Sequence, residues 1–186
     1  MTHTAFSKGL TLIELIIVVA ILSITVTMAV PFTSGFIQNQ MKESSRQSVL
    51  SALRFARATA IQSREVTTVC SLDSSGQCTS NWSNTLSVFH DSNDNAKLDA
   101  GETLTRNIPV RLEQWTQRNR PASRAHFEWN SLGIANGTPG SIEFCHPDSH
   151  TSRFAVVISF SGRIRTSMDF DGDGTEERIP GTPIAC

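Results

Sequence analysis

Apolar residues are massed near one end of the chain and thin out in steps toward the other. Positions 10–30 read LTLIELIIVVAILSITVTMAV, with Glu14 as the one charge. A helix of that length rises roughly 30 Å at about 1.5 Å per residue, the thickness of a hydrocarbon core. Beyond Pro31 the apolar density falls and a helical period takes over. Val49, Leu53, Ala56 and Ala60 step by four, three and four, which predicts one apolar stripe on a helix over 32–64. Arg46, Arg54, Arg57 and Arg64 fall mostly off that stripe, as a solvated face does. From Glu65 the texture changes again. Short runs at 66–72, 85–90, 124–129, 141–145, 154–160 and 162–167 are rich in β-branched and aromatic residues and are separated by Gly, Asn, Asp and Pro. They predict antiparallel strands in a head spanning 65–186. A long helix must bury its stripe on such a sheet, so the expected class is α+β, with the first half of the helix spanning a membrane.

The N-terminus admits three readings. A secretory signal peptide would be cut near Ala29, but signal h-regions run only about 7–15 residues. A plain signal anchor leaves Glu14 unexplained, because a carboxylate inside a spanning helix costs on the order of 2–4 kcal/mol and marks a function or a partner. The third reading uses every residue. Lys8-Gly9 directly before Leu10-Thr11-Leu12-Ile13-Glu14-Leu15 resembles the class III leader of type IV pilins and pseudopilins. That resemblance implies a leader over 1–9, cut between Gly9 and Leu10 by a prepilin peptidase, and a membrane-spanning, filament-core helix over 10–31. It makes Glu14 the assembly residue, its carboxylate neutralising the new amino group of a neighbouring subunit. A paired buried charge is penalised far less than an isolated one. Leu10 stands where the family usually has Phe. Pro31, which lacks an N–H, is expected to kink or loosen the helix.

Composition narrows the function. The 186 residues carry 16 Lys plus Arg against 17 Asp plus Glu, a formal net charge of -1, which excludes a uniformly basic nucleic-acid binder but not a local basic patch. The four cysteines, Cys70, Cys78, Cys145 and Cys186, allow three pairings. An even count in an exported chain points to disulfides in an oxidising compartment. Cys70 and Cys78 bracket a short Ser/Gly loop that suits a local bridge, which would leave Cys145 with Cys186. No C-x-x-C spacing is present, and Pro147 between His146 and His150 argues against a helical zinc pair. No G-x-S-x-G, H-E-x-x-H or Walker loop occurs, so neither an enzyme nor a cofactor is expected. Two acidic stretches resemble calcium loops. Residues 91–102 place oxygen side chains at loop positions 1, 3, 5, 9 and 12 but have Ala96 at the turn glycine, and 169–174 begin correctly but lack the terminal Glu. Asx turns use the same residues without a metal, and no metal site is assigned.

The head also resembles a known group. Ala52 through Cys70, the segment Val88-Phe89-His90-Asp91 with Asp99-Ala100-Gly101-Glu102 and Arg106, and Phe144-Cys145 with Ser161-Gly162-Arg163-Ile164-Arg165 are similar to the minor pilin and pseudopilin family that includes FimT, FimU and GspH. His90 and Ala96 depart from its commoner Asp and Gly. Gly162-Arg163-Ile164-Arg165 looks like the G-R-x-R motif of the FimT-like members, which bind DNA in natural transformation. On one strand Arg163 and Arg165 would share a face, and two guanidinium groups suit phosphates without reading sequence. Eight arginines against four acids lie between Thr103 and Arg165, whereas five acids against one arginine lie from Thr166 onward. A charge dipole follows if the fold gathers those arginines, with Trp115 among Arg111, Arg118 and Arg120 a candidate for stacking on a single strand or for the core. The resemblance thus implies a non-enzymatic, inner-membrane, single-pass minor pilin with a periplasmic head. Its implied partners are other pilins, the prepilin peptidase and double-stranded DNA. The alternatives are a structural pseudopilin of a type II secretion system and a FimU-like initiator of pilus assembly.

Overall fold

The computed structural model describes residues 11–112, 114–147 and 152–185, with the side chains of 26–35 excepted. The chain divides into two compact units, Met1–Gln40 and Met41–Cys186. Helix α1, Leu12–Ser63, runs without interruption through position 31, so the proline does not end it. In the first unit α1 begins with a reciprocal cap. The Glu14 backbone N–H donates to Thr11 Oγ1 at 3.3 Å, and the Thr11 N–H donates to Glu14 Oε2 at 3.5 Å. This is the T-x-x-E capping box, which satisfies otherwise orphaned N–H groups of the first turn. Leu12, Ile13, Leu15, Ile16, Ile17, Val18, Val19, Ile21, Leu22 and Ile24 are all exposed, so the apolar surface here goes round the helix. Such a helix needs apolar surroundings on every side.

In the second unit α1 becomes one-sided. Val49, Leu50, Ala52, Leu53, Ala56 and Ala60 are buried against the head, and the small alanines let the helix backbone come close. The predicted stripe is thus the buried face, and truncating Leu53 would cost roughly 2–5 kcal/mol. The helix ends one residue before Arg64, which takes φ +62° and whose N–H bonds the Ala60 carbonyl. That left-handed cap is a place where glycine is commoner.

Eleven strands follow among the described residues: β1 Thr67–Leu72, β2 Cys78–Thr79, β3 Thr85–His90, β4 Leu104–Pro109, β5 Thr116–Arg120, β6 Phe127–Trp129, β7 Gly140–Cys145, β8 Arg153–Ile158, β9 Ile164–Thr166, β10 Glu177–Ile179 and β11 Thr182–Pro183. All the pairs they make are antiparallel. One sheet runs β2-β1-β3-β4 with β6 also on β1, a second runs β5-β7-β8-β9, and β10-β11 form a small hairpin. The expected α+β class, a helix packed on antiparallel sheets, is the observed one. At β1, β3 and β6 the first sheet is buried on both faces. Val69 aligns with Val88 and Phe127, while Thr68 aligns with Phe89 and Glu128 on the reverse side, and all six are buried. The loop 91–102 covers that reverse side: the Cys78 N–H donates to the Ala96 carbonyl at 3.0 Å and Gln77 Nε2 to the same oxygen at 2.9 Å.

Cys70 and Cys78 form a disulfide across the β1–β2 turn, the local bridge that the spacing allowed. Closing so short a loop stabilises by about 2–3 kcal/mol in the chain-entropy view. Cys145 is disulfide-bonded as well, while Cys186, its expected partner, lies outside the described residues.

Candidate functional site

Arg163 and Arg165 are separated by the way the β8–β9 turn is built. The Ser159 N–H donates to the Arg163 carbonyl at 3.0 Å and the Gly162 N–H to the Ser159 carbonyl at 2.9 Å. The strand therefore begins only at Ile164, not at Gly162, and the two-residue alternation does not reach back to Arg163. Arg163 is exposed and lines an open groove of about 430 Å³ with Arg54, Arg57, Ala58 and Ile61 of α1 and with Ile164. Arg165 is half-buried, and its Nη1 donates to the Arg178 carbonyl on β10 at 2.6 Å. The expected pair of guanidinium groups on one strand face is not formed. Arg163 is grouped instead with two arginines from the helix, and no acidic side chain lines the groove among the described residues.

Gly162 does more than turn the chain. It has φ +75°, and a Cβ there would clash with the Gly133 carbonyl oxygen and stand 2.9 Å from the Trp129 ring. Two turns, 130–134 and 159–163, therefore meet through bare backbone. The Ala135 N–H donates to the Phe160 carbonyl at 3.2 Å, Trp129 Nε1 to the Gly162 carbonyl at 3.2 Å, and Arg57 Nε to the Gly133 carbonyl at 2.9 Å. These bonds tie the helix to one turn and that turn to the other, which carries Arg163.

Most of the other arginines are engaged elsewhere in the fold rather than gathered in this groove. Arg106 lies over the Phe55 ring at 4.1 Å, Arg120 Nε pairs with the buried Glu143 at 2.7 Å, and Arg124 Nη2 donates to the Pro139 carbonyl at 3.2 Å. The Glu143 hydrogen bond raises the Arg120 pKa, while burial lowers that of Arg124. Arg153 Nη1 donates to the Ile184 carbonyl at 2.7 Å. Arg46, placed by periodicity on a solvated face, instead pairs with Glu176 and lies 5.5 Å from the Phe154 ring centre. Lys42 reaches the same carboxylate at 3.3 Å. Trp115 is buried, edge-on to Phe154 and His146, so of the two roles open to it the core is the one it takes. His150 lies outside the described residues.

The acidic loops use their oxygens internally. Asp91 is fully buried and accepts from the Asn95 N–H at 3.0 Å, the Ala96 N–H at 2.9 Å and Thr68 Oγ1 at 3.0 Å. Asp99 accepts from the Asn93 and Asn95 side-chain amides, and Glu102 from the Ser92 and Asp99 N–H groups. Asp169 accepts from the Gly172 and Gly174 N–H groups.

The groove, the capped helix with its all-round apolar surface, and the helix-on-sheets head frame the comparison with known proteins. The profile of the family described as type II transport protein GspH matches residues 45–162, more than half of the chain. The chain belongs to the GspH family. The prokaryotic N-terminal methylation motif matches residues 5–30. Two crystal structures of the Pseudomonas aeruginosa type IV minor pilin FimU superpose with TM-scores of 0.54 and 0.51, at 17% and 19% identity. They cover 70% and 68% of this chain and 90% and 92% of theirs, and at such identities the likeness speaks for the fold alone. No curated protein matches the chain. A GspH-family chain with this motif is a pilin-like protein of the type IV pilus or type II secretion kind, which assembles with other pilins after prepilin peptidase processing.

Of the residues that the leader implies, Gly9 and Leu10 lie outside the described part of this GspH-family chain. Glu14 is described, and its carboxylate is engaged by the Thr11 N–H of its own chain. The span expected over 10–31 falls partly outside the described residues, and among those described no helix is long and apolar enough to cross a membrane. Two features go beyond what the sequence suggested. The Thr11–Glu14 capping box has a visible signal, T-x-x-E. The alliance of Arg163 with Arg54 and Arg57 has none, because it joins residues far apart in the chain.

Proposed function

We propose that this GspH-family chain is a minor pilin of a type IV pilus system whose head binds extracellular DNA through phosphates, for uptake in natural transformation. In this reading the chain is anchored once in the inner membrane with its head in the periplasm, and reaches the cell surface when assembled. The observation that carries it is the groove in which Arg54, Arg57 and Arg163 converge with no acidic lining residue among those described. Three cations held on rigid backbone attract phosphate by Coulomb force and bidentate hydrogen bonds, and none of this reads base sequence. Arg163 thus keeps the role that the G-R-x-R resemblance gives it. Gly162 becomes the close-packing residue that fixes it, and Arg165 becomes a strand-to-hairpin tie.

The test is a salt titration of DNA binding by the full-length chain in a neutral detergent, alongside Arg54→Gln/Arg163→Gln and Arg165→Gln. The wild type should bind weakly and indifferently to sequence, with affinity falling steeply as salt rises. The Arg54→Gln/Arg163→Gln variant should flatten the salt slope by about one for each phosphate it no longer neutralises, at an unchanged melting temperature. Arg165→Gln should lower the melting temperature and leave the slope near wild type. No binding at low salt overturns the reading in favour of a structural subunit, either a secretion pseudopilin or an initiator of pilus assembly.

A further inference from the structure

Building on the DNA-binding reading, we propose that the ring of Phe160 stacks on an unpaired nucleobase, so that this patch takes single-stranded DNA in preference to duplex. Phe160 is 69% exposed although its turn is not loose. Its carbonyl is bonded by the Ala135 N–H, its neighbour Ser159 is bonded at both the backbone and the hydroxyl, and Gly162 is locked against Gly133. A large aromatic ring held in water by rigid backbone loses little conformational freedom on binding. Leu132, on the facing turn, is 73% exposed as well.

Charge says what covers this surface. Phe160 stands three residues before Arg163, whose groove also holds Arg54 and Arg57. The other exposed aromatic side chain described in the head, Phe170, sits among Asp169, Asp171 and Asp173, where a polyanion is repelled. Trp115 is buried. One turn thus carries an exposed ring and, three residues on, an exposed cation of the arginine groove. Duplex DNA offers phosphates but hides its base faces in the stack. A single strand offers both, and stacking on an aromatic side chain is tolerant of base identity. An acidic protein surface would satisfy the arginines but supplies no flat partner for the ring.

Fluorescence anisotropy with the full-length chain in neutral detergent tests this, using a labelled single strand of about 20 nucleotides and the matching duplex at equal salt. The single strand is expected to bind roughly tenfold tighter. Phe160→Ala should remove that preference while leaving duplex binding within about twofold of wild type, and Phe160→Trp should preserve it. Equal affinities in the wild type, or equal losses on both probes in Phe160→Ala, overturn the inference and leave the DNA-binding reading standing. If neither probe binds, both fall. If Phe160→Ala blocks pilus assembly without changing either affinity, the ring belongs to a protein contact and the inference is wrong.

Discussion

Two Asp-rich loops, 91–102 between β3 and β4 and 169–174 ahead of β10, share a sequence pattern and differ in surroundings. In each, the first aspartate folds the loop around its carboxylate: Asp91 takes the N–H groups of Asn95 and Ala96, and Asp169 those of Gly172 and Gly174. The first loop lies on the reverse face of a sheet, so Asp91 is fully buried and also takes Thr68 Oγ1 from β1. The second loop stands in water with its three aspartates exposed. A calcium loop and an Asx turn make the same demand on an aspartate, which is to gather backbone N–H groups or their replacements around one point. The letters cannot separate the two cases. Burial decides how much such an aspartate weighs in the fold.

The sharpest way to break this comparison is Asp91→Ala. It strands the Ala96 N–H and the Thr68 hydroxyl beneath a covered sheet face and frees the half-buried Asn95 N–H, at about 1–3 kcal/mol for each buried group left unsatisfied. Urea denaturation should show a loss of at least about 3 kcal/mol, with a smaller loss for Asp91→Asn, whose carbonyl oxygen still accepts. Should Asp91→Ala cost no more than the equivalent change at Asp169, burial is not what distinguishes the loops.

Sequence pattern is a good guide to this fold where one physical rule acts alone. The stripe Val49, Leu53, Ala56 and Ala60 obeys the helical period because one face meets the core, and each of the four is fully buried. β3 is legible for a similar reason, since its run is apolar and closed by turn residues. β4 is not, because it is an edge strand, exposed along most of its length, and LTRNIP carries no alternation. β5 is hidden because its inward residues are polar: Gln117 Oε1 accepts from the Trp82 N–H, and Asn119 Nδ2 donates to the Ser80 and Arg124 carbonyls. The Gly162-Arg163-Ile164-Arg165 motif is legible as a cluster but not as a geometry, because a small shift in where β9 begins redirects Arg163 toward α1. The pairing of β6 with β1, which buries Glu128 under the first acidic loop, joins distant segments and leaves no local trace.

That buried glutamate gives the second test. Asp94, in the first loop, shares a hydrogen bond with Glu128, and this contact, with burial and the repulsion of the second carboxylate, raises the Asp94 pKa against weaker opposition from His126 and Asn136. A folded-state pKa above the unfolded value of 3.8 means that the stabilisation is full below that value and is lost as pH rises through the folded pKa. Asp94→Asn keeps a hydrogen-bond donor for Glu128, removes the titration, and suits the φ of +60° found there. Above the folded pKa the variant should be more stable than wild type, by less than about 1 kcal/mol for so exposed a group. The advantage should vanish in acid. Thermal melts across this pH range check both halves.

The smallest effect belongs to the exposed loop, where the sign is reversed. The Gly174 N–H does most to lower the Asp169 pKa; desolvation opposes it, and the N–H groups of Gly172 and Asp173 and the Asp171 side chain each add a smaller lowering effect. A depressed pKa contributes stability above the unfolded value of 3.8, and that contribution is lost as pH falls through the folded pKa. Asp169→Asn should therefore melt within about 2 °C of wild type at neutral pH, as solvent already competes for every bond the carboxylate makes. In acid the difference should close, because the wild-type carboxyl is then protonated and accepts no better than the amide. The two loops thus predict opposite pH trends for the same Asp→Asn change. At Asp94 the variant gains on the wild type as pH rises, and at Asp169 it loses. Parallel melts of the two variants that moved in the same direction would mean that solvent exposure, rather than the neighbouring carboxylate, governs both loops.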